Sequence, residues 1–388
     1  MKKKVLITDA RLRTSLFAIR SLGRNGVDVT AVDSREVNPL INLGFCSRYC
    51  KNRVYAPSVI MQTSMFIESL LEMSQRHDVL LPVSMFSIKA VAENIDRFRG
   101  KIKVPIADYD KIIKANDTRR LLEIAGRIGV PIPRMYPVEK IEDIEKISSS
   151  IEYPVFIKVR QEEELAPVSR RVIAYNAEDF IVKYRRMHSL QEFPLVQEYI
   201  RGRGYGFFAL FNKDSRARAV FCHRRIREYP VDGGPSTLCE SINEPSVIEY
   251  GMRILEELGW YGLAMVEFKM DQRTNKPVLM EINPRIWGSM PLAVFSGVDF
   301  PFLLYRMAAE GDIEPVTSFR EGVKMRFLLT DVLSAAGYAR KEKNMVRIGD
   351  FARDLFDFNI KEGIFSLGDP GPGLANSLKA AHKLFLGR

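Results

Sequence analysis

The sequence lacks long hydrophobic runs, since none of its apolar stretches reaches the ~18 residues that a bilayer-spanning helix needs. A transmembrane segment is therefore not expected. The lysines at the start precede the short apolar run Val5–Ile7, which ends at Thr8, so this pattern predicts a β-strand and not a signal peptide. Four cysteines are too few for a disulfide framework, and we expect a protein of the reducing cytoplasm.

Other scarcities exclude further classes of site and partner. Cys46 and Cys50 have no second pair at zinc spacing, and the four histidines are scattered, so neither a zinc site nor a nucleophilic side chain is predicted. The net charge of +10 comes from scattered lysines and arginines without interleaved aromatic residues. This favours a basic surface with a polyphosphate site, and no nucleic acid is expected as a partner.

The first hundred residues alternate between strand and helix patterns. Residues 4–33 follow the order strand, helix, strand, and a second strand–helix step covers residues 78–95. Such alternation predicts a parallel sheet. The first turn, residues 8–13, contains no glycine, so the dinucleotide-binding fingerprint is absent. Asp33 ends the second strand, where a turn or capping role is favoured over ribose binding.

Turn and capping signals divide the chain into four parts. A boundary is predicted near residues 108–117, where Asn116 and Asp117 form an N-cap pair for a helix that runs to Gly129. We expect an N-terminal parallel-sheet domain, two α+β lobes and a C-terminal extension. Their predicted ranges are 1–112, 113–198, 199–310 and 311–388.

The strongest chemical signal lies in two predicted strands, residues 262–270 and 276–284, joined by a polar turn. Because side chains alternate across a strand, an antiparallel pairing places Glu267, Glu281 and Asn283 on one surface. The opposite, apolar face of the second strand is predicted to comprise Val278, Met280 and Ile282. Two carboxylates and an amide oxygen suit Mg²⁺. Spacing alone leaves open a hairpin whose acids face water.

Three neighbouring features favour a phosphate-handling site over that alternative. Glu281 lies in an otherwise apolar strand, and Arg285 follows two residues after Asn283. The run Trp287–Ser289 then supplies a glycine that lets a ligand approach the backbone. Upstream, residues 153–160 are predicted as a strand whose one polar face carries Lys158, although a strand lysine is usually a surface residue.

Glu267 and the run Glu281–Ser289 resemble the metal-binding signature of the ATP-grasp superfamily, which includes biotin carboxylase, D-alanine–D-alanine ligase and carbamoyl-phosphate synthetase. The resemblance extends in order over residues 1–305, and residues 306–388 resemble no family that we can name. It implies an ATP-grasp fold of mixed α/β and α+β class. That fold has an N-terminal Rossmann-like parallel-sheet domain, two α+β lobes that enclose ATP, and a C-terminal extension.

The resemblance also implies roles for individual residues. Glu267, Glu281 and Asn283 would hold two Mg²⁺ ions, with Mn²⁺ as the alternative metal, that bridge the phosphates of ATP. Arg285 would be catalytic, facing the γ-phosphate and an acyl phosphate, because a guanidinium suits bidentate oxyanion binding. Lys158 matches the lysine strand of the family and would contact the ATP phosphates.

Residues 195–200 resemble the hinge between the two ATP-grasp lobes, where main-chain groups bind the adenine edge and apolar side chains enclose the ring. The polar contacts would come from the carbonyl of Glu198 and the N–H of Ile200. The implied cofactor-binding residues are Gln197, Glu198, Tyr199 and Ile200. The alternative is an ordinary strand end before a flexible segment, residues 201–206.

A basic, glycine-containing stretch, residues 223–236, is predicted to follow a strand and resembles a loop of predicted ATP-grasp carboxylate-amine ligases. Arg225 in this stretch is the second catalytic candidate. The alternative for its three arginines is a surface strand paired with acids. The candidates for substrate binding are Gly233, Gly234, Ser236, Gly288 and Ser289.

One departure from the family pattern concerns the helix after the predicted boundary. The family usually has Lys or Arg eleven residues before the glycine that corresponds to Gly129, and this chain has Thr118 there. Arg119 is therefore the candidate for an ATP contact at this helix. The helix N-terminus at Asp117 is also expected to offer free N–H groups to phosphate.

A second departure concerns the family's flexible phosphate loop, which is glycine-rich. Residues 161–171 contain no glycine in this chain. Ser169 and Arg170 are the candidates to take over its contacts with ATP.

The resemblance implies an ATP-dependent carboxylate-amine ligase that activates a carboxylate as an acyl phosphate and condenses it with an amine, releasing ADP and phosphate. The alternatives are a bicarbonate-using carboxylase that forms carboxyphosphate and a non-catalytic nucleotide-binding regulatory protein. The expected partners are a small-molecule carboxylate and an amine, and a homodimer is left open. The amphipathic helix at residues 374–386 is expected to pack on its own domain, which is favoured over contact with a membrane surface.

Overall fold

The computed structural model describes residues 3–160, 171–231, 233–342 and 345–386. Most of the glycine-free stretch, with the candidates Ser169 and Arg170, lies outside the described residues. The strands are β1 (Lys4–Ile7), β2 (Asp28–Ser34), β3 (Cys50–Ala56), β4 (Val79–Leu81), β5 (Val155–Lys158), β6 (Arg171–Ala174), β7 (Leu195–Glu198), β8 (Gly202–Phe211), β9 (Ala217–Glu228), β10 (Ser236–Ser241), β11 (Gly262–Asp271), β12 (Pro277–Asn283), β13 (Lys324–Arg326) and β14 (Lys361–Glu362). The helices are α1 (Arg13–Arg24), α2 (Thr63–Ser74), α3 (Met85–Glu93), α4 (Ile95–Phe98), α5 (Tyr109–Asn116), α6 (Thr118–Arg127), α7 (Ile144–Ser150), α8 (Ala177–Leu190), α9 (Pro245–Glu257), α10 (Met290–Phe295), α11 (Phe300–Glu310), α12 (Leu328–Glu342), α13 (Met345–Leu355) and α14 (Gly371–Leu386).

Four parallel strands form the N-terminal sheet in the order β3-β2-β1-β4, which confirms the prediction of a parallel sheet. Helix α1 buries the stripe of Leu16, Ile19 and Leu22, whose spacing is that of one helix face. The predicted helix through Ile95 is divided, because α3 ends at Glu93 and Ile95 begins the separate helix α4.

The turn between β1 and α1 uses Asp9 in the left-handed region, with φ of 57°, where a glycine would be usual. Its carboxylate accepts the N–H of Ser84 at 3.0 Å, and its carbonyl accepts the hydroxyl of Ser15 at 2.8 Å. The carboxylate of Asp33 accepts the N–H of Arg11 at 2.6 Å. Hydrogen bonds therefore hold this glycine-free turn, and Asp33 has the turn role that was favoured for it.

A three-stranded antiparallel sheet, in the order β6-β5-β7, belongs to the first of the two predicted lobes. Val155 and Ile157 on β5 are fully buried and pack with Phe180 of α8. Because neighbouring side chains on a strand point to opposite faces, this packing directs Lys158 away from the apolar cluster.

A seven-stranded sheet, in the order β12-β11-β8-β9-β10-β13-β14, is the centre of the molecule. One face packs on the N-terminal sheet together with α10 and α11, and the other packs on α5, α6 and α9. The predicted hairpin is confirmed, since β11 and β12 pair antiparallel. The prediction of a flexible segment at residues 201–206 is wrong for its larger part, because Gly202–Gly206 pair with β11 as the start of β8.

The C-terminal segment is joined to both larger sheets by buried charged groups. Arg227 of β9 donates to Asp331 of α12 at 2.7 and 2.9 Å and to Asp354 of α13 at 2.6 Å. Arg20 of α1 donates to Asp369 at 2.8 Å. Removing one partner from such a buried pair leaves an uncompensated charge, so these contacts fix the segment in place.

The last helix, α14, differs from the expected stripe. It buries Ala375, whereas Leu374 and Leu378 are 67% and 54% exposed. The helix packs beside the short 3₁₀ turn Pro39–Ile41. The helix face with Ala375 is buried, and not the face with Leu374 and Leu378 that was predicted to be buried. Within the described residues, none of the helices has the combination of length and apolar character that crossing a membrane requires.

Candidate functional site

A cavity of about 580 Å³ lies where the N-terminal sheet, the three-stranded sheet and the central sheet meet. A smaller cavity of about 80 Å³ adjoins it and shares six of its lining residues, including Lys158 and Glu281. The N-terminal domain contributes the turns that precede α1 and α3 to the larger cavity, at residues 12–14 and 83–86. The position agrees with the general rule that ligands bind at the carboxyl ends of parallel strands.

Glu267, Glu281 and Asn283 converge on one wall of the cavity, as the alternation along the two strands predicted. Glu267 and Glu281 are directly opposite each other across the antiparallel pair. The side-chain amide of Asn283 donates to Glu267 at 2.9 Å and to Glu281 at 3.1 Å. The amide nitrogen therefore faces the two carboxylates, and the amide oxygen accepts from Arg285 at 2.9 Å.

A β-bulge corrects the predicted apolar face of β12. Glu281 pairs with Glu267, but the next pair is Leu279 with Phe268, so Met280 is the extra residue. Leu279 is consequently fully buried with Phe268, whereas Met280 lines the smaller cavity. The prediction that Met280 belongs to the apolar backing was wrong, because strict alternation along the sequence does not reveal a bulge.

Arg225 on β9 reaches Glu267 on β11 across the strand between them, β8. Its guanidinium contacts the carboxylate of Glu267 and donates to the carbonyl of Gly234 at 3.2 Å. Gly204 on β8 leaves the room for this side chain, since a Cβ there would lie 2.8 Å from Cδ of Arg225. Burial lowers the pKa of Arg225, but the carboxylates of Glu267 and Glu228 outweigh it and raise the pKa overall. Burial raises the pKa of Glu267 despite this partner.

The other arginines of the basic stretch serve the sheet. Arg224 pairs with Glu240 on β10 at 2.8 Å, and Arg227 pairs with the C-terminal segment. The alternative of arginines paired with acids is therefore correct for these two, although Arg227 is buried and not on a surface strand. Residues 223–228 are part of β9, and only residues 229–235 form the connection to β10.

Lys158 lies across the cavity from the strand pair. Its side chain is 6% exposed, and its Nζ is 3.8 Å from a carboxylate oxygen of Glu281. Burial raises the pKa of Glu281, but Lys158 and then Arg171 lower it, and the pKa is lowered overall. Arg171 is opposite Lys158 on the paired strand β6 and lines both cavities.

The predicted hinge residues Gln197, Glu198, Tyr199 and Ile200 line the smaller cavity, together with Phe156. The carboxylate of Glu198 is turned to Arg273, which donates to it at 2.5 Å. Lys269 donates to the carbonyl of Ile200 at 3.3 Å, and its amine is 5.2 Å from the ring centre of Tyr199. The side-chain oxygen of Gln197 is buried without a hydrogen-bond partner among the described residues.

The predicted substrate-binding residues lie on the larger cavity. Gly233, Gly234 and Ser236 form one edge, and Gly288 and Ser289 form another. Gly233 has φ of 124°, and a Cβ on Gly234 would lie 2.1 Å from the backbone of Tyr229, so this connection requires both glycines.

Of the predicted site residues that the structure describes, Arg119 alone lies outside both cavities. Its guanidinium turns along α6 to Glu123, 3.2 Å away, whereas Thr118 lines the larger cavity. The expectation of free N–H groups at this helix is also wrong in part, because the carboxylate of Asp117 accepts the N–H groups of Arg119 and Arg120 at 3.0 and 3.3 Å.

Sequence reasoning missed Arg13 and Arg171. Arg13 follows the glycine-free turn, and its guanidinium lines the larger cavity next to Gly288. Its signal was its place just after the first strand of a predicted parallel sheet, where ligand-binding residues gather. Arg171 lies across a strand pairing from Lys158 that no sequence spacing reveals.

Positive charge dominates the larger cavity. Among the described residues that line it, six are basic and two are acidic. The basic ones are Arg13, Lys158, Arg160, Arg171, Arg225 and Arg285, and the acidic ones are Glu267 and Glu281. A low-dielectric cleft with this balance attracts polyanions.

The donor set fits a divalent cation that is itself bound to phosphate. No cluster of three or more His, Cys, Asp or Glu side chains within the described ranges is arranged to hold a metal ion by itself. The two carboxylates match the typical Mg²⁺ arrangement, in which one or two carboxylates and substrate phosphates share the ion. Asn283 would add its amide oxygen only after its side chain turns, because its amide nitrogen faces the carboxylates here. The contact of the Arg225 guanidinium with Glu267 shows that this carboxylate accepts a cationic partner.

Comparisons with known proteins agree with this geometry. Residues 194–330 match the family model described as ATP-grasp in the biosynthetic pathway with Ter operon. The chain is 26% identical to the carbamoyl phosphate synthase large chain of Pyrococcus furiosus over 210 aligned residues, and this alignment covers 52% of the chain. The chain spans only 19% of the length of that relative.

Solved structures share the fold at low identity. A biotin carboxylase complex from Campylobacter jejuni has a TM-score of 0.65 at 17% identity, covering 84% of this chain and 74% of that one. The L-amino acid ligase from Bacillus licheniformis has a TM-score of 0.61 at 13% identity, covering 83% and 79%. The chain therefore shares the fold of these structures, and residues 194–330 within it are similar to an ATP-grasp family model.

Proposed function

We propose that the protein is an ATP-dependent carboxylate-amine ligase. It transfers the γ-phosphoryl group of ATP to a substrate carboxylate and then joins the acyl phosphate to an amine, which yields an amide, ADP and phosphate. The observation that carries this proposal is the convergence of Glu267, Glu281, Asn283 and Arg285 on one wall of a strongly basic cavity. The resemblance in fold to an L-amino acid ligase supports the same reaction class.

ATP extends from the smaller cavity into the larger one. The base lies in the smaller cavity, whose wall offers the aromatic rings of Phe156 and Tyr199 and the unpartnered amide oxygen of Gln197. A buried acceptor without a partner is costly, and an exocyclic amine would satisfy it. The phosphates then pass Lys158 and Arg171, which line both cavities.

Glu267, Glu281 and Asn283 would hold the metal ions, two Mg²⁺ by analogy with the family, with Mn²⁺ as the alternative. The metal would supply positive charge to the phosphate oxygens and to the γ-phosphoryl group. Arg225, which contacts Glu267, would add a further positive charge beside these carboxylates.

Arg285 binds the substrate carboxylate beside the γ-phosphate. Its guanidinium is fixed by Asn283 on one side and by the carbonyl of Ile286 at 3.2 Å on the other. Trp287, two residues after Arg285, is buried against Phe300 and Phe208. This packing holds the backbone that carries the Arg285 side chain. A preorganised guanidinium at a developing oxyanion typically contributes a factor of about 10²–10³ in rate.

The chain's own groups otherwise position the reactants and supply positive charge, and the amine attacks the acyl phosphate without a covalent enzyme intermediate. The amine releases its proton as the C–N bond forms and phosphate leaves.

A second candidate function is a bicarbonate-using carboxylase that forms carboxyphosphate. The names of two compared proteins, a carbamoyl phosphate synthase and a biotin carboxylase, favour it. A third is a nucleotide-binding regulator without turnover, which the replacement of a basic residue by Thr118 favours.

Hydroxylamine in place of the amine tests the proposal without knowledge of the true acceptor. The enzyme, Mg·ATP, hydroxylamine and pooled carboxylates should yield a hydroxamate, detected by its ferric colour or mass. Arg285→Met should lower hydroxamate formation by about 100-fold and leave Mg·ATP binding largely intact.

The matched control is Arg224→Met, because Arg224 is also partly buried in the central sheet but lies outside the cavity wall. It should retain hydroxamate formation. Tight ATP binding with no hydroxamate from any carboxylate favours the regulator, and ADP release with bicarbonate alone favours the carboxylase.

A further inference from the structure

Arg13 is a cation in the cavity that the proposed reaction does not use. It begins α1 and lines the larger cavity on the side of the N-terminal sheet. Among the described residues, no carboxylate forms a salt bridge with it, whereas Arg11, two residues earlier, pairs with Asp33 at 3.5 Å. A guanidinium cannot lose its charge in a protein, so Arg13 stays cationic within a partly closed site.

Phe327 and Gly288 lie against the guanidinium of Arg13. Its Cζ is 4.7 Å from the centre of the Phe327 ring, from the C-terminal segment, and this ring stacks on Phe17 of α1. Gly363 packs against the same ring, since a Cβ there would lie 2.2 Å from it. Gly288 leaves room for the guanidinium, because a Cβ on this glycine would lie 2.7 Å from Nη2 of Arg13. A position built from three separate parts of the chain is more specific than a surface arginine needs.

Arg13 and Arg285 therefore place two like charges in one cavity. Burial and then the charge of Arg285 lower the pKa of Arg13. Like charges at a shared site are unfavourable unless an anion lies between them or each has its own. Arg285 donates to Asn283, whereas Nη2 of Arg13 lies beside Gly288.

Helix α1 adds to the positive potential at this point. Its N-cap residue, Leu12, makes no side-chain capping bond, so the side chain there satisfies none of the first free N–H groups of the helix. Leu12, Arg13 and Thr14 all line the cavity. The start of this helix thus faces the same space as the guanidinium and favours a negative group.

We propose that Arg13 binds a second anionic group of the substrate, so that the acid activated at Arg285 is a dicarboxylate or a phosphorylated carboxylate and not a simple monocarboxylate. This inference names a substrate class and rests on the proposed function. Phe327 and Gly288 are positioning residues, which act on the substrate through Arg13.

The test compares acids that carry a second anionic group with partner acids in which this second group is uncharged; the former are the acidic compounds and the latter their neutral partners. Succinate and glutarate are paired with their monoamides, and a phosphorylated hydroxy acid is paired with the free hydroxy acid. ADP release with hydroxylamine gives kcat/KM for each acid, and calorimetric titration in the presence of a non-hydrolysable ATP analogue gives binding. A preference for the dicarboxylates or for the phosphorylated acid identifies the second group.

Arg13→Met should lower kcat/KM and binding about 10- to 100-fold for the preferred acidic compound, because this is the usual effect of losing a hydrogen bond to a charged group. Both values for the neutral partner should stay within about twofold of the wild type. Arg24→Met is the matched control, because Arg24 lies at the other end of α1, over the ring of Tyr49 and outside the cavity. It should change neither number. Gly288→Ala, which crowds Nη2, should reproduce the selective loss in weaker form.

The outcomes separate this inference from the proposed function. Selective, Arg13-dependent binding of an acidic compound without ADP release supports the anion site and refutes the ligase. Turnover with no preference for acidic compounds, or an equal loss for both partners in Arg13→Met, refutes the anion site and leaves the ligase. A weaker ATP-induced rise in melting temperature in Arg13→Met would show that Arg13 contacts ATP and would also overturn the inference. If no acid binds better than its neutral partner and none is turned over, both are wrong.

Discussion

Glu281→Gln tests the metal site most directly, because it removes one negative charge and almost no volume. The Glu281 carboxylate accepts from Asn283 at 3.1 Å and is 3.8 Å from the amine of Lys158. Its side chain is 33% exposed, so the lost ion pair should cost only about 1 kcal/mol of stability. Loss of a metal ligand should cost far more in rate, about 100-fold in turnover.

The assay is ADP release with hydroxylamine at increasing Mg²⁺, with the melting temperature measured in parallel. We expect the variant to stay folded and to need more Mg²⁺ for half-maximal rate, since one of two carboxylates has been lost. Asn283→Ala should show the same pattern. Glu240→Gln is the control, because Glu240 is a partly buried, arginine-paired glutamate on the same sheet outside the cavity.

Near-wild-type turnover of Glu281→Gln would refute the metal assignment. A loss of rate that only follows a loss of folded protein would refute it as well. An equal effect of Glu240→Gln would show that charge on the sheet, and not a ligand, is being measured.

Three other changes test separate contacts. Lys158→Ala should reduce the rise in melting temperature that Mg·ATP causes, and NAD should cause no rise in the wild type; stabilisation by NAD instead of ATP would refute the nucleotide assignment. Arg227→Met should lower the free energy of unfolding by about 3–5 kcal/mol, because it leaves two buried carboxylates without their partner. Arg224→Met removes a more exposed ion pair and should cost less than about 1 kcal/mol. Denaturant titration measures both values. Equal costs for the two variants would mean that the Arg227 network does not hold the C-terminal segment.

Local patterns of sequence predicted the parts of the fold that depend on neighbours along the chain. Periodicity alone predicted the buried stripe of α1, which comprises Leu16, Ile19 and Leu22. It also predicted the two strands of the β11–β12 hairpin. The common surface of Glu267, Glu281 and Asn283 was also predicted, but the direct pairing of Glu267 with Glu281 depends on the β-bulge at Met280.

Features that depend on an inserted residue or on a side-chain choice were not predictable. The bulge at Met280 moves Leu279 to the buried face, and alternation along the strand carries no sign of it. Arg119 was expected at the ATP site, but it has Glu123 one helical turn away, and such a pair forms along the helix surface.

Contacts across long sequence separations explain the remaining part of the site. Residues 306–388 were expected to resemble no family, but the matched family model continues to residue 330, so that expectation was wrong for residues 306–330. The segment as a whole has contacts with residues on both sides of the cavity. Asp369 binds Arg20 on α1, and Phe327 supports Arg13 at the start of the same helix. Asp331 binds Arg227 on β9, two residues from Arg225.

The C-terminal segment therefore ties the N-terminal sheet, with Arg13, to the central sheet, with Arg225, through buried charged pairs. A charge-assisted pair in a buried position loses its favourable energy steeply when its geometry changes, so the two walls keep a fixed separation. The three-stranded sheet with Lys158 takes no part in these contacts among the described residues. Because these pairs join α1 to α12 and β9 through one segment, they set the distance between Arg13 and the cavity wall that carries Glu267, Glu281 and Asn283.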